Sequence, residues 1–215
     1  MSAATIEDLL RELAPQVLGA LVRKHGQFEA CEDATQEALL AAATQWPSDG
    51  VPANPRGWLI TVASRRLLDI WRSEIARERR EATAVALDGR AGGPAAQTDD
   101  TLALLFMCCH PALTPPSQLA LTLRAVGGLT TAEIAAAFLV PETKMGQRIS
   151  RARQAVQRAG ARFGLPAHDE LPVRLAVVLQ VLYLMFNEGY TASGGDVPIR
   201  GELTAEAIRL ARVLH

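Results

Sequence analysis

Apolar side chains along this chain recur at intervals of three and four, the spacing that gathers them on one face of a helix. Nowhere do they alternate at the interval of two that a half-buried strand requires. In the N-terminal third Leu9, Leu13, Val17 and Leu21 recur this way, behind a capping-box spacing from Thr5 to Asp8. Pro15 is the expected break and Gly26 the expected stop. A second helix is predicted from about Glu32 to Trp46, closed by Pro47 and the Ser48-Asp49-Gly50 turn. A third opens with Asn54 as N-cap and Pro55 at the first helical position, where proline gives up no hydrogen bond. Its core-spaced positions are Trp58, Leu59, Val62, Ala63, Leu67, Ile70 and Trp71, and it runs to about Glu81.

Residues 82–100 (ATAVALDGRAGGPAAQTDD) are small and aperiodic and bear glycine and proline, the chemistry of a flexible linker. Helices are expected again at Leu102–Cys109 and about Ser117–Val126, before Gly127-Gly128 breaks the chain. From Thr130 the sequence reads TTAEIAAAFLVPETKMGQRISRARQAVQRAG. Thr130 and Glu133 form a capping box, Ile134, Ala135 and Phe138 mark a short helix, and Leu139 to Pro141 a turn. On the longer helix that follows, Met145, Ile149, Ala152 and Val156 share an inward face, while Lys144, Arg148, Arg151 and Arg158, with Gln147 and Ser150, lie on the other side. After Pro166 comes a helix that is apolar nearly all round and must be covered. The last helix, from near Thr204, presents Ile208, Leu210, Ala211 and Leu214, and the chain stops inside it, which suggests a shortened chain. The expected fold is all-α: two small helical domains (1–81 and 101–164), the linker 82–100, and a helical C-terminal segment, 165–215. No internal repeat is visible.

With 215 residues, 49% hydrophobic and 21% charged, the chain has apolar material for real cores and too little charge for global disorder. Three cysteines make no disulfide framework, and the N-terminus lacks a basic-then-apolar leader, so a cytoplasmic location is expected. The apolar run from Leu171 to Phe186 holds Arg174 and Gln180 and falls short of the ~20 residues of a membrane span. Cys108, Cys109 and His110 are adjacent, with His25 or Cys31 as conceivable further ligands, but without CxxC spacing structural burial is expected and no metal site. No nucleophile triad, phosphate loop or carboxylate pair stands out, so no catalytic centre and no cofactor are expected.

The net charge of −1 argues against a nucleic-acid partner only until it is partitioned. Residues 50–90 carry eight arginines against five acids, and residues 140–165 six basic groups against one acid, whereas residues 1–49 carry three basic and eight acidic groups. Local field acts within a Debye length of ~8 Å at physiological salt. The second cationic block lies on the outer side of a helix-turn-helix, where long cationic and amide side chains can meet phosphates and base edges in a major groove. The first places Arg65, Arg72 and Arg79 at intervals of seven along one helix, a stripe that can track a phosphate backbone. Arginine beside tryptophan also suits a single strand, whose bases stack for ~1–3 kcal/mol each. Against this stand plainer readings: a charged block as a solvated helix face, and Trp58 and Trp71 as core residues.

In EDATQEALL (Glu32–Leu40), NPRGWLITVASRRLLDIWR (Asn54–Arg72) and the helix-turn-helix, in that order and split by a linker, the chain resembles a bacterial RNA polymerase sigma factor of the extracytoplasmic-function class. The resemblance spans about residues 8–163. It implies that Asp33, Gln36 and Glu37 dock on the clamp helices of the polymerase's largest subunit. It further implies that Trp58, Arg65, Arg66 and Arg72 hold the melted −10 strand of promoter DNA. Lys144, Gln147, Arg148, Ser150 and Arg151 would read the −35 duplex, with region 4 also meeting the polymerase flap. Two positions depart from the family pattern. Arg65 stands where many relatives have asparagine, and Gly146 where an arginine is common, so base reading shifts to Lys144, Gln147 and Ser150, or Gly146 permits close backbone approach. The stretch LYLMFNEGYTASGG resembles the opening of a TPR-like extension that regulates the sigma domains in cis. Two other classes stay open on sequence alone: a stand-alone helix-turn-helix regulator, and a helical interaction module that binds no DNA.

Overall fold

The computed structural model describes residues 3–81, 100–191 and 199–214, and every regular element among them is an α-helix. The chain divides into two compact units, Met1–Asp99 and Asp100–His215. Of the expected linker only Asp100 is described; it is buried at the start of the second unit.

The first unit packs three helices against one another: α1 (Ala3–His25), α2 (Phe28–Asp49) and α3 (Pro55–Glu81). α1 buries Ile6, Leu10, Leu13, Val17, Leu18, Leu21 and Val22. Between Phe28 and Trp46, both buried near its ends, α2 buries the small residues Cys31, Ala34, Thr35, Ala38 and Ala42 together with Glu32, and the small side chains let its neighbours approach closely. α3 answers with Leu59, Ala63 and Leu67 at intervals of four, all fully buried. Each such leucine contributes about 1.5–3 kcal/mol. Asn54 caps α3 as expected, its Oδ1 accepting from the Gly57 N–H at 2.9 Å. Side chains beyond Arg72, including Arg79, lie outside the described residues.

Four points differ from what the sequence suggests. α1 already includes Ala3, so Thr5 sits inside the helix rather than capping it. The helix also runs through Pro15, which is buried; the lost bond to the Arg11 carbonyl is outweighed by an apolar face spanning six turns. α2 starts at Phe28, four residues before Glu32, behind Gln27, whose side chain makes no cap. Its Oε1 instead accepts from Trp71 Nε1 at 2.7 Å, joining the α1–α2 corner to α3. Pro47 lies inside the last turn of α2 rather than closing it, and the chain leaves the helix at Gly50, with φ at +84°.

His25 stacks edge-on against Trp71, with centroids 5.2 Å apart, and its Nε2 is shut from solvent without a hydrogen-bond partner. Burial, and secondarily the Lys24 ammonium, push its pKa below the ordinary value. Burial foremost, then the Arg174 guanidinium, lowers that of His110 as well, against a smaller opposing effect of Glu170. The unfolded chain therefore takes up protons that the folded chain resists. Melting temperature is expected to fall as pH drops below about 6.5, and His25→Gln should flatten that dependence in calorimetric melts between pH 7.5 and 5.5.

The second unit contains α4 (Thr101–Cys108), α5 (Pro115–Ala125), α6 (Thr131–Ala137), α7 (Glu142–Arg158), α8 (Leu171–Thr191) and α9 (Ile199–Val213). α7 packs on α5 and α6, α8 lies against α4 and α5, and α9 runs beside α8 and touches α6. α4 buries Leu104, Leu105, Phe106, Met107 and Cys108 and has no basic residue in its last turn. Arg174 of α8 supplies the missing cation, its Nη2 donating to the Phe106 carbonyl at 2.7 Å, one of the four acceptors a helix end leaves open.

The C-terminal helices depart from expectation on two points. α8 is covered on one side through Val178, Val181, Leu182 and Met185, while Val173 and Tyr183 stay 68% and 64% exposed, because α4, α5 and α9 reach only part of its circumference. α9 begins at Ile199 and buries Ala207 and Leu210; Ile208 and Ala211, expected on the presented face, are exposed. The three cysteines are free and buried, and burial holds the Cys31 and Cys109 thiols protonated, pushed up to about 12. Among the described residues no group of three His, Cys, Asp or Glu side chains could hold a metal ion, and no helix is long and apolar enough to cross a membrane.

Candidate nucleic-acid interfaces

The helix-turn-helix is built from local signals. Thr130 and Glu133 exchange both capping-box bonds: the Glu133 N–H donates to Thr130 Oγ1 at 3.2 Å and the Thr130 N–H to Glu133 Oε2 at 2.6 Å. α6 ends in two closing bonds, Leu139 N–H to the Ala136 carbonyl (3.2 Å) and Val140 N–H to the Ala135 carbonyl (3.0 Å). That closure requires a left-handed residue, and the residue is Leu139, at φ +51° and 83% exposed. A leucine there costs about 1–2 kcal/mol that glycine would not.

α7 then divides as its spacing demands. Met145, Ile149, Ala152 and Val156 are buried against α5 and α6. Lys144, Gln147, Arg151 and Arg158 are exposed, and Arg148 and Ser150 half-buried beside them. Lys144, Arg148 and Arg151 fall at i, i+4 and i+7, one stripe of positive charge, with Gln147 adjoining it. Gly146 lies in the second turn of this helix, where glycine costs about 1 kcal/mol against alanine.

In the first unit the residues expected to meet a single strand are partly brought together. Trp58 and Arg65 line one groove of about 530 Å³, shared with Asn54, Gly57, Thr61 and Val62. Trp58 is half-buried and held edge-on by Trp46, with centroids 5.5 Å apart. One side of its indole is therefore fixed by the core while the residue borders an open cleft. Arg65 and Arg72 are exposed, seven residues apart on the same side of α3, and Arg72 pairs with Asp69 at 3.3 Å. Trp71 is engaged by Gln27 and His25 and serves the fold.

Arg66 faces elsewhere. Its Nε meets Glu37 Oε2 at 3.3 Å, linking α3 to the acidic side of α2. There Asp33 and Glu37 are exposed and Gln36 is half-buried. Leu40, one turn on and 69% exposed, extends this face with an apolar group. Sequence reasoning missed Leu40, as it missed Asn54, Gly57 and Thr61 as groove walls. The available signal was position: Leu40 follows Asp33 by seven, and Thr61 precedes Arg65 by four.

Residues 9–77 match the family model described as Sigma-70 region 2, and residues 103–156 match Sigma-70, region 4. The chain therefore belongs to the sigma-70 family, with region 2 formed by α1–α3 and region 4 by α4–α7. Residues 174–215 match a family of unknown function, DUF6596. The chain is 40% identical over 222 residues to an uncharacterized protein of Rhizobium meliloti, a match covering 97% of this chain and 51% of that protein. It is 30% identical over 178 residues to the ECF RNA polymerase sigma factor SigJ of Mycobacterium tuberculosis, covering 78% of this chain and 56% of that one. It thus spans about half the length of the curated relatives it matches. No solved structure matches it.

Proposed function

We propose that this chain binds core RNA polymerase and directs it to promoters as a sigma factor of the extracytoplasmic-function class. What carries this assignment is the presence in one chain of regions 2 and 4, each with its own cationic surface of distinct shape: a groove beside Trp58 and Arg65, and an open helix side on α7. The groove suits unstacked bases, which need a π-face and a nearby cation. The helix suits a major groove. Trp58, Arg65 and Arg72 hold the −10 strand, Arg66 turns instead to Glu37 at the edge of the α2 face, and Lys144, Gln147, Arg148, Ser150 and Arg151 read the −35 duplex. Asp33, Gln36 and Glu37, with Leu40, form the face toward the polymerase clamp helices, and region 4 meets the flap. A stand-alone duplex-binding regulator would have no use for the groove on α3.

Residues 165–215 act in cis, as the opening of a helical, TPR-like extension. The packing of α8 on α4 and α5 and of α9 on α6, with Arg174 donating to the Phe106 carbonyl, supports a role exerted through region 4.

The test is transcription in vitro from a promoter template with core polymerase, with and without the chain. Initiation is expected only when the chain is present, and its absence with active polymerase defeats the assignment. The same assay with residues 165–215 removed addresses the cis role: unchanged promoter activity and polymerase binding would reject it.

A further inference from the structure

The wall of the groove on α3 offers its hydrogen bonds in a fixed order. Asn54 caps the helix, its Oδ1 accepting from the Gly57 N–H at 2.9 Å. That bond orients the amide: the cap takes its acceptor, and Nδ2, which has no partner among the described residues, is left to donate. Thr61 is committed the other way. Its hydroxyl donates to the Gly57 carbonyl at 2.8 Å, so Oγ1 keeps only lone pairs and accepts. Both groups are gathered round Gly57, where a Cβ would lie 2.6 Å from Asn54 Nδ2 and glycine leaves that space open. Arg65, one turn beyond Thr61, is exposed on the same groove and has donors only. Side chains on a helix lean toward its N-terminus, which for Arg65 is the Thr61 side. From Asn54 to Arg65 the wall therefore presents donor, acceptor, donor.

We propose that this groove selects thymine, with Asn54, Thr61 and Arg65 meeting the O2, N3–H and O4 edge of a base stacked on Trp58. The proposal rests on the groove as the site of the −10 strand and adds to it the identity of the base. An unstacked base is read on its Watson–Crick edge, and of the four bases thymine alone carries acceptor, donor, acceptor there. Guanine satisfies two of the three groups and sets its 2-amine against the remaining donor. Adenine and cytosine set an amine against a donor and a bare ring nitrogen against the Thr61 acceptor. Polar groups left facing their own kind in this way lose more than a missing contact would. A guanidinium has five N–H donors, so Arg65 can hold a base carbonyl and a phosphate together.

Asn54→Asp changes the order of groups without disturbing the helix start, because aspartate caps as well as asparagine and turns the outward donor into an acceptor. The probe is a single-stranded −10 oligonucleotide from a promoter that the parent transcribes, captured by the chain assembled with core polymerase. Each of its positions is replaced in turn by thymine, guanine, cytosine or adenine. In the parent, one position is expected to favour thymine over adenine and cytosine by about fivefold or more, with guanine between. In Asn54→Asp the wall reads acceptor, acceptor, donor, which matches N2–H, N1–H and O6 of guanine, so guanine should overtake thymine at that position. The added charge weakens capture of every base, and the ratio of guanine to thymine is the readout. An unchanged melting temperature shows the cap kept; if it falls, Asn54→Ser, which caps without an outward donor, replaces it and should abolish the preference for thymine. A parent with no such position, or a thymine preference that survives the replacement of Asn54, overturns the proposal. Trp58→Ala locates the failure: capture equal to the parent's removes the groove from the −10 strand altogether, whereas weakened capture in a chain that never preferred thymine strikes only the choice of base.

Discussion

Ile149→Asp is expected to unfold the helix-turn-helix and abolish duplex binding, whereas Gln147→Asp, two residues away, should leave the fold intact. Ile149 is 2% exposed and shares its buried face with Met145, Ala152 and Val156. Aspartate there loses the transfer energy of a large apolar side chain and strands a carboxylate without a cationic partner. Together these exceed about 4 kcal/mol, a large part of the 5–15 kcal/mol that holds a domain together. Gln147 is exposed, so its replacement changes stability by no more than about 0.5 kcal/mol. On the proposed docking it still places a negative charge beside the phosphates, which should weaken duplex binding several-fold. Circular dichroism melts and fluorescence anisotropy with a promoter duplex read the two effects apart. A cooperative Ile149→Asp melt at the parent's temperature would mean that α7 turns a different face to α5 and α6.

The contrast between these neighbouring positions also explains which parts of the molecule were legible in the sequence. Where one local pattern decided the outcome, it was read correctly: the Thr130/Glu133 capping box, the Asn54-Pro55 helix start, and the four buried positions of α7 follow from spacing alone. Boundaries set by tertiary partners were not. Pro15 lies in mid-helix because the face around it is packed, and α2 starts early because Gln27 serves Trp71 rather than capping. Neither partner is visible from the sequence around the residue concerned. The same holds for the candidate sites. The charge stripe on α7 is a property of one helix, so its spacing alone reveals it whole. The Glu37–Arg66 pair joins two helices, and residues assigned separately to polymerase and to DNA prove to touch. At 53% exposure on each side such a pair contributes little to stability, within the ~0–1 kcal/mol of surface ion pairs.

The groove on α3 carries the second large expectation. Arg65→Glu, in the chain assembled with core polymerase, should weaken capture of a single-stranded −10 oligonucleotide by at least tenfold while leaving the melting temperature unchanged. Arg65 is exposed on the groove wall, so reversing it removes a cation from the path of the phosphates and puts a repelling charge in its place. Trp58→Ala should weaken capture to a similar degree, since a stacked base is worth ~1–3 kcal/mol, but with a different signature. Trp58 is half-buried against Trp46, so this variant also loses packing and melts lower. Salt separates the two further. Removing a phosphate contact flattens the dependence of affinity on salt, with a slope change of roughly 0.7 per contact for a single strand, and removing a stacking face does not. Arg65→Glu should therefore flatten the salt plot and Trp58→Ala should displace it in parallel. If Arg65→Glu displaced the plot without flattening it, Arg65 would not be a phosphate contact. Arg65→Asn then addresses the base directly: capture weakened as much as by Arg65→Glu would place the guanidinium on the strand itself, and capture retained would show that the amide common in relatives can take over its role.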